Sequence, residues 1–339
     1  MIEKYYNGVI EQVAGGIGNV EHNSILVRYS NDFSIWDLES VNHYKDQTDI
    51  FFTCHEFSYN KIAEAYEPYL GLIRQMFHKY CSGTLEEFME ECDVYKLQRP
   101  VFESYFEKGF CERTEQILID EVEYEQERMR NSIVTMLQKL SEIRPVVIVL
   151  NRFQLASKST MQLSNSLLQV KNKNIGIVLG VNDVQSIPEF AHEEWDAICE
   201  SMDDRNMVYH IGNAGRNMEP DVMDYYSDYE SDDGYRKLNN LVYFLDFDQA
   251  DHHLSKIERR IKFDNFTISE KKHYQLLLLQ IMVSVLQRDI AKALESCEDL
   301  EKLQDQEKEG AFYYNFWMAT SYMYLGKLEE AMIYVQKAK

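Results

Sequence analysis

Residues 144–169 read RPVVIVLNRFQLASKSTMQLSNSLLQ. Pro145 opens the stretch, Val146 to Leu150 form an unbroken apolar run, and a polar turn follows. Helical periodicity then begins near the cluster Ser157-Lys158-Ser159-Thr160. A short continuous apolar run beside helical periodicity is the pattern of a strand buried on both faces of a parallel sheet. Such sheets bind ligands outside the carboxyl ends of their strands. Asn151 and Arg152, which end this run, are therefore the first places to look for function.

The flanking sequence repeats the pattern. Residues 3–14 read as a short amphipathic helix with Ile10 and Val13 on one side. Ser24 to Tyr29 (SILVRY) reads as a strand, followed by a polar turn at 30–34, a helix-like IWDLESVNHY and a second strand beginning IFFTCHEF at Ile50. That order and spacing make a βαβ unit. Residues 84–143 read as mostly helical and end in IVTMLQKLSEI, with Ile133, Met136, Leu137 and Leu140 at helical spacing. Ile175 to Val181 (IGIVLGV) is a further buried strand ending at Asn182 and Asp183; Pro188 opens a helix carrying Phe190, Trp195 and Ile198; and Met207 to Ile211 closes the set. Strands are expected near 24–29, 50–54, 146–150, 175–181 and 207–211, within an α/β domain spanning 1–218. An acidic linker is expected at 219–235, and the remainder, 236–339, is expected to be all helix.

Composition narrows the function classes. The 339-residue chain is long enough for two domains and is 45% hydrophobic, so a sizeable core is available. Its formal net charge of −22 argues against binding nucleic acid or an anionic membrane through the overall field, and works weakly against polyphosphate ligands. Cys54, Cys81, Cys92, Cys111, Cys199 and Cys297 form no C-x-x-C pair, which suits reduced thiols in a cytosolic protein. The opening MIEKYYNGVIEQV lacks the apolar core of a signal peptide, and no run approaches the roughly 20 apolar residues of a membrane helix.

The stretch from Val146 to Ser157 resembles the Walker B region of signal-transduction (STAND-type) AAA-like ATPases: apolar residues, two acids, then apolar-Gln-apolar-Ala-Asp. Phe153, Gln154, Leu155 and Ala156 follow that frame, but Asn151 and Arg152 occupy the two acidic positions and Ser157 the third. In P-loop NTPases those acids hold Mg²⁺ and orient the attacking water. The loop after the first strand, YSNDFSIWD, carries no Gly and no Lys where G-x-x-x-x-G-K-[ST] would stand, and Asp32 adds negative charge there. In a rival alignment Gly16-Ile17-Gly18-Asn19-Val20 takes the P-loop place and Gly8 to Val13 the strand; the phosphate-binding Lys and the Mg²⁺-binding hydroxyl are absent there too. The first alignment is preferred, because residues 8–13 alternate poorly and the rival leaves a long run to Phe51. The Tyr66-x-Pro68 opening of the next helix is similar to one found after the second strand of STAND modules, and Asn182 stands where AAA-like proteins can place a γ-phosphate sensor.

Near the end, NFWMATSYMYLGKLEEAMIYVQKA resembles a tetratricopeptide repeat (TPR), with Ala319, Tyr322, Leu325, Gly326, Ala331 and Ala338 at its small, aromatic and turn positions. A weaker copy lies 38 residues upstream, where Ala293 matches Ala331. Lys339 falls inside the second helix of the repeat, as expected of a fragment of a longer protein. The implied architecture is an α/β P-loop NTPase-like parallel-sheet domain followed by an all-α TPR-like region. This layout resembles the N-terminal half of multidomain bacterial signalling proteins, whose output domains include GGDEF diguanylate cyclases.

Three functions follow as expectations. The first is a catalytically silent scaffold with no cofactor and no enzymatic role of its own. It binds a protein partner through the repeats at Tyr314, Trp317 and Tyr322, with homo-oligomers allowed. The second is a nucleotide-gated ATPase switch with non-standard residues. The third is a small-molecule sensor using the vacated crevice, lined by Asn31, Asn151, Arg152 and Asn182. Elsewhere, the acidic run fails as an EF-hand because Asp233 stands at the required Gly and Asn239 at the required Glu. His252-His253 reads as a surface pair, and Cys54-His55 as structural.

Overall fold

The computed structural model describes all residues except 1, 21–22, 31–32, 46, 48, 59–60, 112–121, 171, 184–186, 188, 205–206, 212–230, 264–266, 304–307 and 339. The chain divides into two compact units. The first comprises Met1–Thr114 and Gln126–Asp228, and the second comprises Tyr229–Lys339 with Glu115–Glu125.

The first unit is built on five parallel strands: β1 (Ser24–Tyr29), β2 (Phe51–Glu56), β3 (Val146–Asn151), β4 (Ile175–Asn182) and β5 (Val208–Ile211). They lie in the order β2-β3-β4-β1-β5. Every residue of β3 and β4 is buried, as the continuous apolar runs require of central strands, whereas edge strand β2 is half-buried throughout. Leaving β1 the chain moves towards the β2 edge, and leaving β2, β3 and β4 it moves the other way. Right-handed crossovers therefore set helices on both faces, and the reversal falls between β1 and β4.

One face is covered by α1 (Ile2–Gly16) and α2 (Glu39–Lys45). Tyr6, Val9, Ile10 and Val13 recur at helical spacing along α1 and pack on Ile25, Val27 and Tyr29 of β1, Val147 and Val149 of β3, and Val178 of β4. Residues 8–13 are thus the middle of a helix, which excludes the rival alignment that made them the first strand. α1 can approach β4 closely because Gly176 and Gly180 face it. A Cβ at Gly176 would sit 2.6 Å from Val13, and one at Gly180 would collide with the Tyr6 hydroxyl.

Between β2 and β3 run α3 (Tyr69–Tyr80), α4 (Leu85–Glu91), α5 (Arg99–Lys108) and the long α6 (Val122–Ile143). α7 (Lys158–Gln169) follows β3 with Ser157 as its N-cap, and α8 (His192–Asp203) precedes β5. The helix-like segment after β1 opens with a 3₁₀ turn, Ile35–Asp37, before α2 begins.

The second unit is helical: α9 (Asp232–Tyr243), α10 (Phe247–Phe263), α11 (Glu270–Leu286), α12 (Ile290–Glu301), α13 (Lys308–Tyr324) and α14 (Leu328–Lys337). The expected linker at 219–235 lies outside the described residues up to 230. Its end is corrected: Ser231 caps α9, and Asp232 and Asp233 form its first turn, where the helix dipole favours acids.

Three helix hairpins, α9/α10, α11/α12 and α13/α14, close with the same turn. Leu245, Arg288 and Gly326 each have positive φ (67°, 64° and 71°), and in each the next amide reaches back five residues, at 2.8–2.9 Å, to Leu241, Ser284 and Tyr322. Five residues beyond each positive-φ residue stands a buried alanine, Ala250, Ala293 or Ala331. The helical region therefore holds one hairpin more than the two repeats legible in the sequence. The first was not read in the sequence; at the turn position where the last copy has Gly326 it carries Leu245.

Candidate functional site

The parallel sheet puts the ends of β1, β3 and β4 side by side. Tyr29 is in register with Asn182, and Glu56 of β2 with Asn151. Alternation along each strand turns Glu56, Asn151, Gly180 and Tyr29 towards the α1 face.

Asn151 is fully buried, and its Oδ1 accepts a 2.7 Å hydrogen bond from the Tyr29 hydroxyl. Tyr6 and Phe33 complete the lid: Phe33 packs edge-on against both tyrosines, with ring centroids 5.1 Å from Tyr6 and 4.9 Å from Tyr29. The Tyr6 hydroxyl and the Asn151 Nδ2 are buried with no hydrogen-bond partner among the described residues. Burial first, then the neighbouring Tyr29, Glu56 and Cys54, pushes the Tyr6 phenol well above its ordinary value, so it stays protonated.

Arg152 sits in the left-handed region, φ 53° and ψ 41°, and its guanidinium lies 3.4 Å from the Glu56 carboxylate. Glu56 also lies 3.5 Å from the Ser34 hydroxyl. Asn182 is only 4% exposed, and its backbone N–H donates to the Gln154 Oε1 at 3.2 Å. Asn31 lies outside the described residues.

Of the four residues expected to line a vacated crevice, Asn151 and Asn182 are thus interior groups, and Arg152 is held by an acid. Asn151 is closed off from solvent, with Tyr29 hydrogen-bonded to it and the rings of Tyr6 and Phe33 packed on Tyr29. Sequence reasoning missed Tyr6, Phe33 and Glu56. Tyr6 lay within the expected helix 3–14 but not among the residues assigned to its apolar side, and Glu56 lay beyond the expected strand at 50–54, with a register to Asn151 that no linear pattern reveals.

No family model, curated protein or solved structure matches the chain.

In the helical unit the three residues expected on a protein-binding surface pack inward. Tyr314 belongs to the core formed with Leu277, Ile281, Ala293 and Cys297, and Trp317 and Tyr322 pack against it half-buried. Tyr322 stacks on Tyr334 at 5.6 Å. The exposed apolar residues are others, among them Phe312, Phe316, Leu328, Met332 and Ile333. On α13, Phe312 and Phe316 were indistinguishable in sequence from the packing set because apolar residues recur on every side of that helix.

The remaining constellations resolve as follows. His252 and His253 are half-buried rather than surface residues. Burial is the first cause that lowers them, to about 4 and about 3, and His253 exchanges a 2.9 Å hydrogen bond with Gln249. The Cys54 thiol is pushed up to about 11, chiefly by burial, which makes it a poor nucleophile. Among the described residues no group of three or more His, Cys, Asp or Glu is placed to hold a metal ion, and no helix is long and apolar enough to cross a membrane.

Proposed function

We propose that this chain is a non-catalytic regulatory and scaffold region of a bacterial signal-transduction protein, acting in the cytosol. A degenerate P-loop ATPase-like module is joined to TPR-like repeats that bind a protein partner. The reading rests on the composition of the sheet's carboxyl edge. A polyphosphate site needs a lysine, a hydroxyl and acids holding Mg²⁺. Here β1 ends in Tyr29, β3 in Asn151 and β4 in Asn182, and the Tyr6 and Phe33 rings pack against Tyr29. The Arg152 charge is engaged by Glu56. The recurring turn of the three helix hairpins supports the repeat reading, and the exposed apolar residues of α13 and α14 supply contact area for a partner.

Calorimetric titration with Mg²⁺-ATP and Mg²⁺-GTP tests the proposal. The expected affinity is weaker than roughly 1 mM, less than about 4 kcal/mol of binding. Micromolar binding would overturn it, and Asn151→Ala and Arg152→Ala would then show whether the nucleotide sits at this edge.

A further inference from the structure

The three helix hairpins can be laid on one another by their shared turn. A shift of 43 residues takes Leu245 to Arg288, and a shift of 38 takes Arg288 to Gly326. The same shifts superpose the buried alanines Ala250, Ala293 and Ala331. Val242, Phe247 and Leu254 of α9/α10 then coincide with Val285, Ile290 and Cys297 of α11/α12, and all six are buried. Their counterparts in the last hairpin, Met323, Leu328 and Val335, are exposed. Leu328 is 64% exposed where Phe247 is 2% and Ile290 9%. α13 adds Phe312 and Phe316, exposed where their counterparts Tyr274 and Leu278 are buried.

What covers these positions upstream is a helix. α11 packs on α9 and α10, and α13 packs on α11 and α12. Each covering helix is 17 residues long. α13 lays Tyr314 and Met318, one turn apart, into the core that holds Tyr274, Leu278, Val285 and Cys297, with Trp317 packed against it. The first of these seams has a polar bond: Asp251 of α10 accepts from the Gln280 amide of α11 at 2.9 Å. Leu294 and Met332 take the place of Asp251 in the next two hairpins, so the last face calls for an apolar contact there.

We infer that the α13/α14 face binds one amphipathic helix of a partner protein, about five turns long, in the position that α11 and α13 take on the hairpins before it. Its apolar stripe carries aromatic or methionine side chains one turn apart, as α13 does, and its outer surface is neutral or basic. A second copy of this chain is the poorer fit, because it would bring a further net charge of −22 to the interface. The inference rests on the reading of the helical unit as partner-binding repeats, and adds the surface and the class of partner.

The test is fluorescence anisotropy of the whole chain with a labelled peptide of the α13 sequence, residues 308–324, extended by lysines at both ends. Saturable binding is expected. Phe316→Glu or Met332→Lys in the protein should weaken it at least tenfold, as should Tyr314→Asp with Met318→Asp in the peptide. Ile333→Glu is the control. Ile333 is also exposed, but its counterpart Glu295 is an exposed acid, so the repeat places it off the covered face and affinity should not change. All three protein substitutions are at exposed positions, and circular dichroism checks the fold of each variant. Binding untouched by Phe316→Glu and Met332→Lys would overturn this face while leaving a partner surface elsewhere on the repeats. Equal loss with Ile333→Glu would mean general adhesion and would overturn it too. So would the absence of saturable binding, or sedimentation showing that the chain alone pairs through this face. The nucleotide titration above reads the ATPase-like module separately, so neither result stands in for the other.

Discussion

Gly180 shows how a single position shapes the closed edge. Its missing side chain is what lets Tyr6 and Asn151 meet over β4, because a Cβ would collide with the Tyr6 hydroxyl and lie 2.7 Å from the Asn151 Oδ1. Gly180→Ala should therefore destabilise the first unit by about 1–3 kcal/mol, the usual cost of overpacking a core. Tyr6→Phe removes a buried hydroxyl that has no partner among the described residues, so it should be neutral or stabilising. Combined with Gly180→Ala it should recover part of the loss. Urea denaturation of the two single variants and the double variant measures that coupling. A strictly additive double variant would mean that the hydroxyl and the Cβ do not compete for one space.

At the scale of elements, the three hairpins make a built-in comparison. One turn geometry is made by Leu245, Arg288 and Gly326, and only glycine adopts positive φ without strain. Arg288 is exposed, so Arg288→Gly should stabilise the helical unit by roughly 0.5–1 kcal/mol, whereas Gly326→Ala should cost about 1 kcal/mol. Thermal unfolding of both variants decides it, and a destabilised Arg288→Gly would show that the arginine side chain contributes more than its backbone costs. The same turns mark where sequence reading succeeds and fails. β3 and α7 were legible because an apolar run and a serine cap are local signals. The Gly326 turn was legible because glycine advertises positive φ. The Leu245 and Arg288 turns were not, because neither residue type signals positive φ and the backbone bonds that close the turns leave no mark in the sequence. A cavity beside β2, lined among others by Thr53, Glu67 and Tyr105, was illegible for a related reason: its residues span positions 53–105 and meet only after α3 and α5 dock.

Across the whole molecule, the formal charge of −22 sets a cost that no single ion pair offsets, since exposed pairs contribute little. Raising NaCl from about 0.01 to 1 M shortens the screening length from roughly 30 to 3 Å. The melting temperature should rise by several degrees over that range, and a flat or falling curve would mean that local pairing already balances the acids. The strand order carries a different consequence, one of timing. β1 lies between β4 and β5, and Leu26 pairs with Leu179, 153 residues further along the chain. At synthesis rates of about 5–20 residues per second, the first strand leaves the ribosome on the order of ten seconds or more before its inner neighbour exists. Until then, its apolar Ile-Leu-Val core has only α1 and whatever holds nascent chains to shield it. The sheet is thus assembled from its middle late, and growth conditions that change elongation rate should change the yield of folded protein more than its final stability.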